Sequence, residues 1–539
     1  FMPQALSVAP EPYQHTWKPG DNYADIITGW AHPPKDHKKW EELVYQWVTH
    51  CVDRYGKEEV ETWYWEVWNE ADIFYWAGQP RNETFHRLHD HAINGVKRAL
   101  PTAKVGGPDS AYVAGFLRSF LDHCVNGTNY ATGEKGTPID FIAFHAKGSP
   151  SFVDPDRNDD VPGFGRMGMA QQLNAINNQM RVVAEFPELR NTPINIGESD
   201  PDGCAACRAI EYPANIYRNK SHFASYTAAS FARKHELADR NGVNLEGALS
   251  WTFTFEDQPY FAGLRSLATN GIDKPVLNTF RMMSKMSGQR LAVESSHGYT
   301  FDEINAPAQR RGGRGRGARR GDGPAEARGE TPQPAPASGR TRDVRGAPDV
   351  HSLASLEGNK LAAMVWHYHA DDVPADAAAV ELTFANLPQR SGRAAIQHFR
   401  IDDEHSNAYT VWLRMGSPQQ PTPEQYAELE KSGKLAQLDV PATVVVENGQ
   451  ATVRFELPRQ GVSLVVLQLN GAAAPPESNP AAATPAVGRQ SSSAEPAAAS
   501  QAAPREAAPL RAPAEPAASR AVERSLLVAK ERFAGPPPD

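Results

Sequence analysis

The chain reads as an α/β protein, a (β/α)8-type barrel followed by a β-sandwich, and three observations point there. Between Glu70 and Glu198, strand-like and helical stretches alternate through two full units. Two apolar strands, Trp63–Glu70 and Pro193–Glu198, each end on a glutamate. From Asp349 to Leu469, apolar residues recur with period two between Gly, Asn and Pro turns. Strands alternating with helices indicate a parallel sheet with helical crossovers, and the eight-fold barrel is the version that gathers catalytic groups at its C-terminal strand ends. Short strands with period-two alternation indicate a sandwich.

The elements follow in order. Trp63-Tyr-Trp-Glu-Val-Trp-Asn-Glu70 is an aromatic-rich strand with an amide and a carboxyl at its end. A strand buried on both faces is nearly all apolar, so Asn69 and Glu70 must open into a cleft or find partners inside. A lone Glu at a strand end is more often a loop carboxylate or a salt-bridge partner; Asn69 before it, and Trp63, Trp65 and Trp68 behind it, reverse that reading. A helical stretch over Glu83–Leu100, a strand over Lys104–Pro108, a helical segment near Ala114–Cys124, a strand over Ile139–His145 and a helical run near Met169–Phe186 lead to Pro193-Ile-Asn-Ile-Gly-Glu198. Two intervening units put the acids on strands n and n+3. Retaining glycosidases use such a pair, one acid protonating the leaving oxygen and the other attacking the anomeric carbon, with the carboxyls ~5–5.5 Å apart.

With these residues in view, the chain from residue 1 to about residue 470 resembles glycoside hydrolase family 39, of β-xylosidase and α-L-iduronidase type. The resemblance rests on Phe1-Met-Pro, Pro33-Pro-Lys-Asp with Trp40, Arg54-Tyr-Gly, Glu66-Val-Trp-Asn-Glu70, Val105-Gly-Gly-Pro108, Asp140-Phe with His145-Ala, Gly197-Glu198, Trp251-Thr-Phe and Lys274-Pro. It implies a TIM barrel with Glu70 as general acid/base on strand four and Glu198 as nucleophile on strand seven. Asn69 would hold the sugar 2-hydroxyl, and Trp251 would form the floor of the sugar site, core packing being its plainer role. Glu256 and Asp257 match acids that contact the terminal sugar. His145 would orient the nucleophile or bind sugar hydroxyls, against the plainer reading of a satisfied core histidine. Where the family often continues His-Ala-Tyr, this chain has His145-Ala-Lys147, which changes a sugar-facing position.

The same alignment makes Phe1–Ser7 strand three and Leu249–Thr254 strand eight, with strands one and two absent. The chain begins with Phe and has no charged-then-apolar leader, so a fragment of a longer protein is expected, its barrel (residues 1–300) incomplete and its native N-terminus missing. Periplasmic and cytoplasmic homes fit equally.

With 539 residues, 40% hydrophobic, and 11 Trp, the chain is large enough for more than one domain. Its formal charge is −9, yet residues 310–345 carry ten Arg against four acids, leaving the remainder at −15. A globular part that acidic repels nucleic acid. Residues 306–348, Arg-Gly-rich and then Pro-Ala-rich, read as a disordered insertion, as does the Ala-Pro-rich tail 470–539. Between them, 349–469 is the expected sandwich. Within it, Ile401–Asn407 and the segment from Met415 resemble a family excursion that packs back on the barrel.

Cys204-Ala-Ala-Cys207 follows the second acid; without a second Cys pair it reads as a loop disulfide or two free thiols rather than half a zinc site. Cys51 and Cys124 read as small core residues. His367 and His369 share a strand face, and surface placement is expected rather than a metal. No metal or cofactor is implied, and no run of eighteen apolar residues exists to span a membrane. The expected activity is double-displacement release of terminal β-D-xylose from xylo-oligosaccharides, as in xylan degradation. The alternatives are another pentosidase or a uronidase, for which Lys147 is the candidate carboxylate-binding residue, a truncated inactive carbohydrate-binding remnant, and an RNA-interacting protein acting through the Arg-Gly run.

Overall fold

Asp36 starts the first helix, α1 (His37–Tyr55), by accepting the amides of Lys38 and Lys39 at 2.9 and 3.2 Å, two of the donors a helix start leaves open. Glu41, Val44, Val48 and Cys51 recur at helical spacing and form its buried face. A turn of helix, α2 (Lys57–Val60), leads to strand β1 (Tyr64–Glu66) and then to α3 (Arg81–Ala99). The face of α1 meets α3 at Gly95, where a Cβ would stand 2.6 Å from the Glu41 carbonyl oxygen, so this close crossing needs glycine. The computed structural model describes residues 2–3, 6–8, 29–153, 164–252, 254–255, 257–305 and 348–469.

Strand β2 (Lys104–Ser110), helix α4 (Ala114–Asn126) and strand β3 (Phe141–Lys147) come next. A small antiparallel pair, β4 (Ser151–Val153) with β5 (Phe164–Arg166), is followed by α5 (Ala170–Ala184), β6 (Ile194–Asp200), α6 (Ser221–Asn241) and β7 (Leu245–Ala248). β1, β2, β3, β6 and β7 pair in that order, all parallel. β2 and β3 are buried along almost their whole length, as strands covered on both faces must be. The sheet is strongly curved: Tyr64 on one outer strand donates its hydroxyl to Glu246 on the other at 2.6 Å.

Three strands differ from the sequence expectation. The run Trp63–Glu70 is a strand only over Tyr64–Glu66, because Trp68 and Glu70 take left-handed backbone (φ 73° and 49°), which cannot continue a pleat. Among the described residues of the run Leu249–Thr254 there is no strand; Leu249 still exchanges backbone hydrogen bonds with Ile196 and Ser199, but Ser250 and Trp251 turn to the Asp200 carboxylate instead of the ladder. At the start of the chain, Ser7 makes one bridge to Pro34 and Met2 donates to Trp30, with no strand among the described residues there.

The period-two region forms an antiparallel sheet of Gln289–Leu291, Asp349–Glu357, Lys360–Tyr368, Val462–Gln468, Gly392–Ile401 and Ala436–Gln437 in spatial order, with Thr443–Val446 also on Gly392–Ile401. Alternate residues serve two cores. Leu361, Ala363, Val465 and Leu467 face the ribbon of Ala378–Phe384 with Ala451–Leu457. Ala362, Met364, Trp366, Leu464 and Val466 belong to the core shared with the parallel sheet and its helices. Phe1–Gly471 is therefore one compact unit. The excursion after Ile401 contains helices Ala408–Arg414 and Pro423–Gly433, which pack Tyr409, Trp412 and Leu429 on Phe261 and Ile272. His367 and His369 are buried rather than on the surface, their rings 5.3 Å apart. The expected disordered segments lie outside the described residues over 306–347 and 470–539.

Several histidines are folded in as neutral rings. Burial lowers His86 to about 3, helped by His123 stacked on it at 4.4 Å; burial beside Arg459 lowers His369 to about 3, and burial beside Arg400 lowers His398 to about 4. A group whose folded pKa lies below its unfolded value of about 6.5 gives full stability above pH 6.5 and loses it as the pH falls toward the folded value. We expect each of the three to remove on the order of 1–3 kcal/mol by pH 4.5, seen as a steady fall in Tm between pH 6.5 and 4.5. A flat Tm over that range would contradict neutral burial.

Candidate active site

Four neighbouring strands bring their polar residues to one end of the parallel sheet. Glu70 follows β1, Asp109 lies near the end of β2, His145 and Lys147 on β3, and Glu198 and Asp200 on β6. Residues two apart on a strand share a face, and the register sets His145 opposite Glu198 and Lys147 opposite Asp200. The acids of the two glutamate-ended strands are thus three strands apart, on the first and fourth of the sheet.

His145 is the hub. Its side chain is fully buried; Nδ1 is 2.8 Å from Glu70 Oε1, Nε2 makes an ion pair with Asp109 Oδ2 at 2.9 Å, and Glu198 Oε1 is 3.7 Å from Nε2. Burial works to remove its second proton, but Asp109, Glu198 and Glu70 outweigh it and hold the ring well above the usual imidazole range. Lys147 Nζ bridges Glu198 Oε2 at 2.7 Å and Asp200 Oδ2 at 2.5 Å. Burial pushes the Glu198 carboxyl up, against the pull of His145 and Lys147. Burial would also raise Asp200, but Arg265 and Lys147 bring it below the usual carboxylate range.

Asp200 anchors the wall beyond. It accepts from Ser250 Oγ at 2.7 Å and the Trp251 amide at 3.1 Å, while Arg265 donates to the Trp251 carbonyl at 2.8 Å. Lys147 Nζ and Arg265 Cζ stand 5.5 and 5.6 Å from the Trp251 ring centroid, within cation–π range. The following loop carries the Cys204–Cys207 disulfide. Buried Arg218 collects its carbonyls, donating to Cys204, Ala205 and Cys207 at 2.5–3.2 Å, and pairs with Asp202 at 2.6 Å. Cys51 and Cys124 are buried and take no part in this disulfide.

Of the site residues expected from the sequence, Glu70, His145, Lys147 and Glu198 come together in one cluster and Trp251 adjoins it through Lys147. Asn69 is half-buried beside Glu70. Glu256 lies outside the described residues, whereas Asp257 is in a turn with φ 52°. Three charged members went unread. Asp200, two residues beyond Glu198, was available from strand periodicity, and Asp109 directly follows Val105-Gly-Gly-Pro108. Arg265 carries no local signal. Glu70, His145 and Glu198 present one ligand atom each within 4.8 Å of one another. Nδ1 of His145 is hydrogen-bonded to Glu70, and Nε2 faces Asp109.

A family model, glycosyl hydrolases family 39, matches residues 19–318, more than half of the chain. The chain belongs to glycosyl hydrolases family 39. A β-xylosidase of Caldicellulosiruptor saccharolyticus is 23% identical over 86% of this chain and 78% of its own length. An α-L-iduronidase of Mus musculus is 23% identical over 72% of this chain and only 56% of its own length. The crystal structure of a monomeric β-xylosidase from Caulobacter crescentus CB15 superposes with a TM-score of 0.56 at 18% identity, over 82% of this chain and 76% of that one. The likeness shows the fold, a TIM-barrel-like α/β arrangement, and the family makes the chain a glycoside hydrolase.

Gly197, just before Glu198, leaves room for Asp109: a Cβ there would lie 2.2 Å from Asp109 Oδ1. Gly197→Ala is expected to cost about 1–3 kcal/mol in chemical denaturation, the usual range for overpacking. An unchanged midpoint would mean that Asp109 is not held against this strand.

Proposed function

We propose that the chain is a retaining glycoside hydrolase that releases terminal β-D-xylose from xylo-oligosaccharides by double displacement. One observation carries the mechanism: a carboxylate oxygen of Glu70 and one of Glu198 lie within 4.8 Å of each other at the ends of strands three places apart. That closeness favours direct attack by a carboxylate over the ~6.5–9.5 Å separation that an inverting enzyme needs to seat a water.

Glu198 attacks the anomeric carbon while Glu70 protonates the departing oxygen; Glu70 then takes a proton from water, which hydrolyses the glycosyl-enzyme. Lys147 and His145 work against the upward push of burial on Glu198. Asn69 is assigned the sugar 2-hydroxyl, Trp251 the apolar ring face, and Glu256 a contact to the terminal sugar. His145 is fully buried, so its assigned role is to orient the acids rather than to touch sugar.

The xylose reading draws on the β-xylosidase relatives. A uronic-acid reading has one observation in its favour: the ammonium of Lys147 sits on Glu198 and near Trp251, where a sugar carboxylate could replace one of its acid partners. Comparing kcat/KM on an aryl β-D-xyloside and an aryl α-L-iduronide decides between them. For the uronide reading, Lys147→Met should raise KM on the uronide at least tenfold; under the xylose reading only the xyloside turns over.

Glu198→Ala is expected to abolish turnover. Glu70→Ala should slow poor leaving groups by about 10²–10⁴ and activated aryl groups far less. Equal loss on both classes would remove Glu70 from the acid role. Because burial raises Glu198, the acidic limb of kcat/KM should lie above 4.5, the ordinary glutamate value; an acidic limb below that value would contradict the pairing.

A further inference from the structure

We infer that Asp109 is a positioning residue for the acid/base: it seats the buried His145 ring so that Nδ1–H is donated to Glu70 Oε1, which leaves Oε2 as the oxygen that carries the transferable proton. The inference rests on the assignment of Glu70 as acid.

The geometry is specific to this aspartate. Asp109 interrupts the β2–β3 pairing at an irregularity between Pro108 and Ser110 and takes φ 51°, left-handed backbone that few residues other than glycine adopt. That kink does two things at once. It places the Asp109 carbonyl where the Glu70 amide donates to it at 3.0 Å, and the carboxylate where Oδ2 meets His145 Nε2 at 2.9 Å. Gly197, without a side chain, leaves the space that Asp109 Oδ1 fills. One residue therefore fixes both the backbone of Glu70 and, through the imidazole, its side chain.

Every charged group that faces the ring bears on its protonation. Glu70 approaches from the end of β1, Asp109 from β2 and Glu198 from β6; on the ring's own strand Lys147 is committed to Glu198 and Asp200. Three acids surround one imidazole, so both ring nitrogens keep their protons, Nδ1 hydrogen-bonded to Glu70 and Nε2 held in an ion pair with Asp109. A neutral ring in the other tautomer would accept from Glu70 at Nδ1 and draw the acid proton onto Oε1, away from the substrate. Asp109 is the partner that prevents this.

The test has two arms. In protein labelled with ¹⁵N-histidine, the ring of His145, assigned by its loss in His145→Asn, should show two protonated nitrogens at pH 8 in the wild type and should lose one of those protons in Asp109→Asn. A neutral His145 at pH 7 in the wild type overturns the inference, and this arm needs no turnover. In the second arm, Asp109→Asn should slow a glycoside with an alkyl or sugar leaving group about ten- to a hundredfold while changing an activated dinitrophenyl glycoside less than about threefold. Equal slowing of both classes would mark Asp109 as merely structural and overturn the inference. Failure of the hydrolase reading would appear instead as no turnover of either substrate by the wild type, with the ring state of His145 still deciding the role of Asp109.

Discussion

Four carboxylates crowd the C-terminal end of the parallel sheet, and the arrangement of everything near them follows from the cost of keeping charge out of water. Asp109, Glu70, Glu198 and Asp200 are all at least largely buried, Asp200 completely. An isolated buried carboxylate would take up a proton and lose its use as a nucleophile. The strands answer with cations placed between acids: His145 among Glu70, Asp109 and Glu198, Lys147 between Glu198 and Asp200, Arg265 behind Asp200 and Asp202. Alternation in space comes from alternation along the chain, since β3 offers His145 and Lys147 on the face where β6 offers Glu198 and Asp200.

This explains what could be read from the sequence and what could not. The strand–helix rhythm and the apolar runs are local properties, so β2, β3, β6 and the helices between them were legible to within a few residues, as was the separation of the two glutamates by two units. Periodicity likewise exposed Lys360–Tyr368, Ala378–Phe384 and Ala451–Leu457, whose alternate residues really do serve two different faces.

The misses share a cause, in that a polar partner from elsewhere took over the backbone. The strand expected through Glu70 stops early because its end turns left-handed to present the acid, with the Glu70 amide held by Asp109. The strand expected from Leu249 yields to the Asp200 carboxylate, which claims the Ser250 hydroxyl and the Trp251 amide. Asp109 and Arg265 are recognisable only once the strands are side by side. The histidines at 367 and 369 looked like surface residues because their apolar surroundings come from distant segments; His367 Nδ1 bonds the Leu457 carbonyl at 2.9 Å.

Helix α6 lies between the parallel sheet and the antiparallel one. Its Ser221-His-Phe-Ala-Ser-Tyr-Thr-Ala-Ala-Ser230 run is buried nearly all round, and Arg233 reaches from it to Asp349 at 2.8 Å in the antiparallel sheet. Over its first three turns the helix shows no solvent face, so each of its sides there is defined by a different neighbour. Neither sheet keeps a complete core once the other is lost, so the antiparallel sheet acts as a brace whose loosening would be felt at the strand ends of the parallel one.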